Sequence, residues 1–225
     1  MRRFFLFALS LSAAVACGSS SDGGGTTGPG GPSTTAYSLS ADSTFQARTA
    51  LIGSALPTTV HVELGGVPQA NVTVSWFPNA LSGAVSSKTS TTDSNGNASI
   101  TWTLSDTARV NTLTATAGTG SVNVTATSTP GPVTTLTKAS ADSTSLVAGA
   151  STILTVRATD QFGNRVPGVA IAWSTSGGSL SATSSTTGSA GNADVVFITT
   201  GAPASYSVTA TAGSLPAVSF KVVGF

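Results

Sequence analysis

The chain repeats itself. Ser40-Ala-Asp-Ser-Thr44 returns as Ser140-Ala-Asp-Ser-Thr144, and Val72-Thr-Val-Ser-Trp76 returns as Val169-Ala-Ile-Ala-Trp173. Gly96-Asn-Ala98 answers Gly191-Asn-Ala193, and Thr114-Ala-Thr-Ala-Gly118 answers Thr209-Ala-Thr-Ala-Gly213, in the same order and at offsets that drift only from 100 to 95. A unit of about 95 residues has the size of a domain and is too long for one turn of a solenoid, so the sequence must build one fold twice.

Within each copy apolar residues alternate. The first shows Val60/Val62/Leu64, Val72/Val74/Trp76, Ala98/Ile100/Trp102/Leu104, Leu113/Ala115/Ala117 and Val122/Val124/Ala126. The second shows Leu154/Val156/Ala158, Val169/Ile171/Trp173, Ala193/Val195/Phe197, Tyr206/Val208/Ala210 and Val218/Phe220/Val222. A period of two is the signature of half-buried strands. An N-terminal strand near Tyr37 to Phe45 or Val133 to Leu146, and a weaker one near Val85 to Thr91 or Leu180 to Thr186, bring each copy to about seven strands. The expected fold class is all-β, as two tandem immunoglobulin-like β-sandwiches, with Trp76 and Trp173 between the sheets. An odd number of traverses leaves each copy at the end opposite its entry, so the copies are expected to stack end to end, joined by Thr129-Pro-Gly-Pro132.

Composition agrees. Only 8% of the 225 residues are charged, 40% are hydrophobic, and 25 Gly and 10 Pro supply turns, a balance that suits many short strands and not long amphipathic helices. A net charge of +1 with nine scattered Lys and Arg leaves no basic stripe for phosphates, so no nucleic-acid partner is expected. The single cysteine, Cys17, precedes the repeats, so the expected sandwiches hold without a disulfide or a cysteine metal site.

Cys17 closes an export signal. Met1-Arg-Arg3 is positive, Phe4 to Val15 is apolar, and Ala14-Val-Ala-Cys17 ends it with small residues. The apolar run is shorter than the roughly 20 residues of a spanning helix. Ala14-Val-Ala-Cys17 resembles the bacterial lipobox, with Ala14 where leucine is usual; the resemblance implies cleavage before Cys17 and its acylation, which would hold the protein to a membrane. Arg2-Arg-Phe-Phe-Leu6 also resembles a twin-arginine core, although two arginines equally begin a general secretory signal. Gly18, rather than aspartate, follows the cysteine, which resembles the enterobacterial pattern for the outer membrane. The expected organisation is a signal peptide over 1–16, a flexible Gly/Ser/Thr-rich tether over 17–36, one sandwich over 37–128, a linker over 129–132 and a second sandwich over 133–225.

Asp160-Gln-Phe-Gly-Asn164-Arg-Val-Pro167-Gly-Val-Ala-Ile-Ala-Trp173, followed by Gly191-Asn-Ala193 and Val208-Thr-Ala-Thr-Ala-Gly213, resembles the Big-1 type bacterial Ig-like domain of the invasin and intimin family. The first copy keeps Gly66-Val-Pro68, the strand ending at Trp76, Asp93-Ser-Asn-Gly-Asn-Ala98 and Thr114-Ala-Thr-Ala-Gly118, but lacks the Asp-x-x-Gly-Asn turn. The resemblance implies a surface-exposed spacer or adhesive module. It does not bring receptor binding with it, because nothing here resembles the lectin-like tip of the large adhesins.

Residues with chemical potential read as structural. His61 is the only histidine and lies between Val60 and Val62, which points it off the buried face with no nucleophile that sequence singles out. Asp93, Asn95, Asn97, Asp160 and Asn164 carry oxygen ligands of the kind calcium takes, but Asp and Asn make such turns without metal, so no metal or cofactor is expected. Asn71, Asn97 and Asn123 open glycosylation-type triplets of a kind that a Ser/Thr-rich chain produces by chance. Trp102, in register with Ile100 and Leu104, reads as core. The chain is therefore expected to be a non-catalytic cell-envelope protein that binds a protein or glycan surface or spaces one apart, with a carbohydrate-binding module as the alternative.

Overall fold

The computed structural model describes residues 35–141, 143–200 and 203–225. Among them every regular element except one short 3-10 turn is a strand. The first sandwich comprises β1 (Ser38–Ala41), β2 (Arg48–Leu51), β3 (Ala55–Leu64), β4 (Val67–Pro68), β5 (Thr73–Pro78), β6 (Ala84–Val85), β7 (Thr89–Thr91), β8 (Asn97–Thr103), β9 (Val110–Ala117) and β10 (Gly120–Thr129). Its sheets run β1-β3-β8-β6, with β4 paired to β3, and β2-β10-β9-β5-β7. The second comprises β11 (Thr135–Lys138), β12 (Ser143–Leu146), β13 (Ser151–Thr159), β14 (Ala170–Thr175), β15 (Ser179–Leu180), β16 (Ser184–Thr186), β17 (Asn192–Ile198), β18 (Ala204–Thr211) and β19 (Val218–Gly224). Its sheets run β11-β13-β17-β15 and β12-β19-β18-β14-β16.

The seven expected runs per copy are present, but two of them divide. The N-terminal run is not one strand over Tyr37 to Phe45. It leaves the first sheet after Ala41, turns through the 3-10 segment Ser43–Phe45, and joins the second sheet as β2. The cause is Asp42, whose carboxylate accepts the Thr44 amide at 2.7 Å and caps the turn. β11 and β12 repeat the crossing between the two sheets of the second copy. The weaker run divides likewise, into β6 and β7 and into β15 and β16.

Alternation fills the space between the sheets. Val60, Val62, Trp76, Trp102, Leu113 and Val124 are buried in one sandwich, and Leu154, Val156, Trp173, Phe197, Val208 and Phe220 in the other. Leu64 departs from the expected pattern: it ends β3 at the Gly65-Gly66 hairpin and is 43% exposed. Each indole nitrogen has an acceptor, as a buried N–H requires. Trp76 Nε1 donates to Ser90 Oγ at 2.9 Å, Trp173 Nε1 to Ser185 Oγ at 2.8 Å, and Trp102 Nε1 to the Ser82 carbonyl at 2.8 Å. Phe197 occupies the position of Trp102 in the second copy and needs no such partner.

The repeated Gly-Asn-Ala is explained by the glycine. Gly96 and Gly191 have φ of +76° and +68°, and a Cβ on either would stand 2.7 Å from the Val62 carbonyl oxygen or 2.8 Å from that of Ala158. Those partners also hold the turn, the Val62 amide donating to the Gly96 carbonyl and the Ala158 amide to that of Gly191, each at 2.8 Å. Only glycine accepts both the dihedral and the approach.

Candidate functional site

The Asp160 to Asn164 turn, considered in the sequence as an oxygen-rich cation site, is the polar junction between the two sandwiches. Ser33–Phe225 forms one compact unit. Asp160 follows β13 at the position where alternation points inward, and it is buried. Its Oδ1 accepts the amides of Phe162 and Asn164, each at 2.9 Å, which makes the turn. Its Oδ2 accepts the Gly131 amide of the linker at 3.0 Å and Asn164 Nδ2 at 3.0 Å. Burial disfavours the charged carboxylate, but the hydrogen bonds from the Asn164 side chain and from the Gly131, Asn164 and Phe162 amides outweigh it and hold the pKa below its ordinary value.

Asn164 completes the junction. Its Oδ1 accepts the Ala108 amide at 2.9 Å and its Nδ2 donates to the Asp106 carbonyl at 2.7 Å, both in the loop between β8 and β9 of the first sandwich. The side-chain amide thus mimics a peptide group and pairs with that loop as a strand would. A Cβ on Gly131 would lie 3.6 Å from Ile52 Cδ1 and 3.7 Å from Asp160 Oδ2, so a side chain at this linker position would touch both sandwiches.

The receiving loop is itself held rigid by residues that the sequence reading missed. Asn111 is fully buried on β9. Its Oδ1 accepts Ser105 Oγ at 2.8 Å, and its Nδ2 donates to Ser128 Oγ at 2.9 Å and to the Arg109 carbonyl at 3.1 Å. Ser128 Oγ in turn donates to the Thr107 carbonyl at 2.8 Å. The available signal was parity: Asn111 keeps step with Leu113 and Ala115, and Ser128 with Val124 and Ala126, so both are polar side chains on core positions. Tyr206 occupies the register of Asn111 in the second copy, its hydroxyl 2.6 Å from Thr200 Oγ1.

His61 faces off the core with Nδ1 3.0 Å from Asn97 Oδ1 and Nε2 3.1 Å from Glu63 Oε1. Its cross-strand pairing with Asn97 is reproduced by Arg157 and Asn192, where Arg157 Nε donates to Asn192 Oδ1 at 3.0 Å. The same position serves a cross-strand hydrogen bond in both copies, with imidazole in one and guanidinium in the other. Asp93 Oδ1 is occupied by the amides of Asn95 and Asn97 at 2.9 and 2.8 Å, a turn closed by the backbone. Among the described residues no three His, Cys, Asp or Glu side chains converge as a metal site, and no helix is long and apolar enough to cross a membrane. Trp102 is buried. Cys17, Ala14 and the segment 1–34 lie outside the described residues.

The topology of the two sandwiches defines a pair of immunoglobulin-like modules. Residues 133–222, which span the second sandwich, match the family described as bacterial Ig-like domain (group 1). Solved structures share the fold across both copies. Yersinia pseudotuberculosis InvD is similar at 18% identity over 85% of this chain and 58% of its own, with a TM-score of 0.54. The Escherichia coli adhesin FdeC is similar at 17% identity over 87% of this chain and 65% of its own, with a TM-score of 0.53. The chain thus spans less than two thirds of either structure. The D00-D0 domain of intimin matches at 18% identity over 84% of this chain and all of its own, with a TM-score of 0.42. Comparison with curated proteins finds no match.

Proposed function

We propose that this chain is an exported, non-catalytic protein of the bacterial cell envelope, held to a membrane through acylated Cys17, whose paired Ig-like domains present or space an interaction surface. The observation that carries the reading is the junction: Asp160 and Asn164 fasten one sandwich to the loop and linker of the other, which suits a spacer whose two units keep a set orientation. The adhesin FdeC, built on the same fold, supports a surface role. The lipobox-like Ala14-Val-Ala-Cys17 and the tether after it support anchoring, and Gly18 the outer membrane.

A carbohydrate-binding module, the second reading, would stack sugar on exposed rings; all three tryptophans are buried, which leaves phenylalanines such as Phe77 and Phe162 as the exposed rings. The test is fractionation of cells making the full chain, with mass spectrometry of its mature N-terminus. Acylation at Cys17 with recovery in the envelope is the expected result. A soluble, unacylated protein that behaves as its Cys17→Ala variant would remove the anchoring, and crosslinking on intact cells that captures no surface component would reduce the role to spacing.

A further inference from the structure

In each sandwich the second strand, reached once the chain has crossed from the first sheet, and the strand that leaves lie side by side and parallel. β2 pairs with β10 in the register Arg48↔Ala126 to Leu51↔Thr129, and the ladder continues where the Ile52 amide donates to the Thr129 carbonyl at 3.0 Å. β12 pairs with β19 in the register Ser143↔Lys221 to Leu146↔Gly224, continued by the Phe225 amide to the Leu146 carbonyl at 2.9 Å and the Ala148 amide to the Phe225 carbonyl at 3.0 Å. Every other ladder among the described residues is antiparallel. The two exceptions occupy the same place in both copies.

That placement has a mechanical consequence. Chain enters β2 at its N-terminal end and leaves β10 at its C-terminal end, and in a parallel pair those ends lie at opposite ends of the ladder. Tension along the chain therefore slides one strand past the other and strains all the bonds of the ladder together. Had the pair been antiparallel, the two loaded ends would lie together and the bonds would break in succession. A single backbone hydrogen bond contributes little net stability, so simultaneous rupture is what separates a domain that resists a pull from one that peels.

We propose that both sandwiches are built to withstand tension applied along the chain, with the β2–β10 and β12–β19 ladders as the resisting elements. Thr129 Oγ1 adds a side-chain bond to the Ala50 carbonyl at 3.2 Å across the first ladder. The junction continues the path, since Asp160 holds Gly131 midway between the end of β10 and the start of β11. The inference rests on topology alone and holds whether or not Cys17 is acylated, so its failure and that of the proposed function are separate results.

Constant-force single-molecule pulling on the full chain, held at its two ends, tests it. Two unfolding steps are expected. Ala50→Pro removes one N–H from β2 and should shorten the lifetime of one step about tenfold. Val85→Ala lies on β6, outside both ladders; it should lower stability to urea yet change that lifetime less than about twofold. Lifetimes that follow urea stability in both variants would overturn the proposal. Should Ala50→Pro fail to fold, the attachment points are moved instead, in a Cys17→Ala chain carrying Ser54→Cys and Gly131→Cys. Both sites stand where β2 and β10 finish, so the ladder peels from one end. A much shorter lifetime than in the end-to-end geometry supports the proposal, and an equal one overturns it.

Discussion

Asn164 of the second sandwich and Ala108 of the first are joined by a hydrogen bond from the Ala108 amide to Asn164 Oδ1 at 2.9 Å, while Nδ2 of the same side chain reaches the Asp106 carbonyl at 2.7 Å. A planar amide that offers donor and acceptor at this reach is particular to asparagine, glutamine being one methylene longer. Asn164→Ala should cost the junction about 1–3 kcal/mol, because it also leaves the Ala108 amide without this partner. Asn164→Asp should be worse, since it replaces the donor with a negative charge beside the Asp160 carboxylate and the Asp106 carbonyl. The check is NMR relaxation: both variants should tumble as two more independent units, with the sandwich cores unchanged.

Asp160 makes the junction sensitive to acid. Its pKa is depressed in the folded chain by the hydrogen bonds that outweigh its burial. The stability it supplies is therefore complete above the ordinary carboxylate pKa of about 3.9 and is lost as pH falls through the lower folded value. Asp160→Asn should be less stable than wild type at neutral pH, and the gap should close as pH drops below about 4. Thermal melts of both chains between neutral and strongly acid pH provide the measurement, and a gap that does not change with pH would show that the charge plays no part.

Asn111 stabilises the loop that receives Asn164 without touching Asn164 itself. Asn111→Ala takes the Oδ1 acceptor from the Ser105 amide and hydroxyl and removes partners from Ser128 and the Arg109 carbonyl, which should destabilise the first sandwich by about 1–3 kcal/mol. Hydrogen exchange should report the loosening at the Ala108 amide, although that amide lies outside the network. Asn111→Ala combined with Asn164→Ala should cost less than the sum of the two, because both act through one loop.

Gly96 and Gly66 separate dihedral strain from collision. Both have positive φ, +76° and +80°, but a Cβ at Gly96 would meet the Val62 carbonyl at 2.7 Å, whereas nothing lies within 4 Å of one at Gly66. Gly66→Ala should cost only about 1 kcal/mol of left-handed strain, and Gly96→Ala clearly more. Urea unfolding of the two variants gives the comparison directly.

Period-two alternation made the strands, the core tryptophans and the twofold organisation legible from the sequence, because a half-buried strand writes its inward face on every second residue. The division of the N-terminal run was not legible in the same way. Alternation reports which side a residue faces and not which sheet the strand has joined, and the crossing after Ala41 depends on a local Asp42 cap. Nor did the sequence reveal the junction. Asp160 and Asn164 stood out as oxygen ligands, but their partners are backbone groups of Asp106, Ala108 and Gly131, which carry no side-chain signature. The first copy has Gly65-Gly66 in a β3–β4 hairpin where the second has this turn, so the absence of the motif there and the absence of that docking go together.

His61 is the residue at which a catalytic reading and a structural one diverge most clearly. Arg157 occupies the same cross-strand register in the second copy and bonds the corresponding asparagine, so the position asks for an N–H donor of sufficient reach. His61→Arg should therefore change stability by no more than about 0.5 kcal/mol, since guanidinium reaches Asn97 as Arg157 reaches Asn192 and keeps Glu63 as a neighbour. His61→Leu should lose more, leaving Asn97 Oδ1 and Glu63 without that partner. Urea unfolding of the three chains at neutral pH checks the order. A His61→Arg chain that keeps stability but loses surface binding in crosslinking would instead place His61 in a contact surface, which its half-exposed position on the outer face permits.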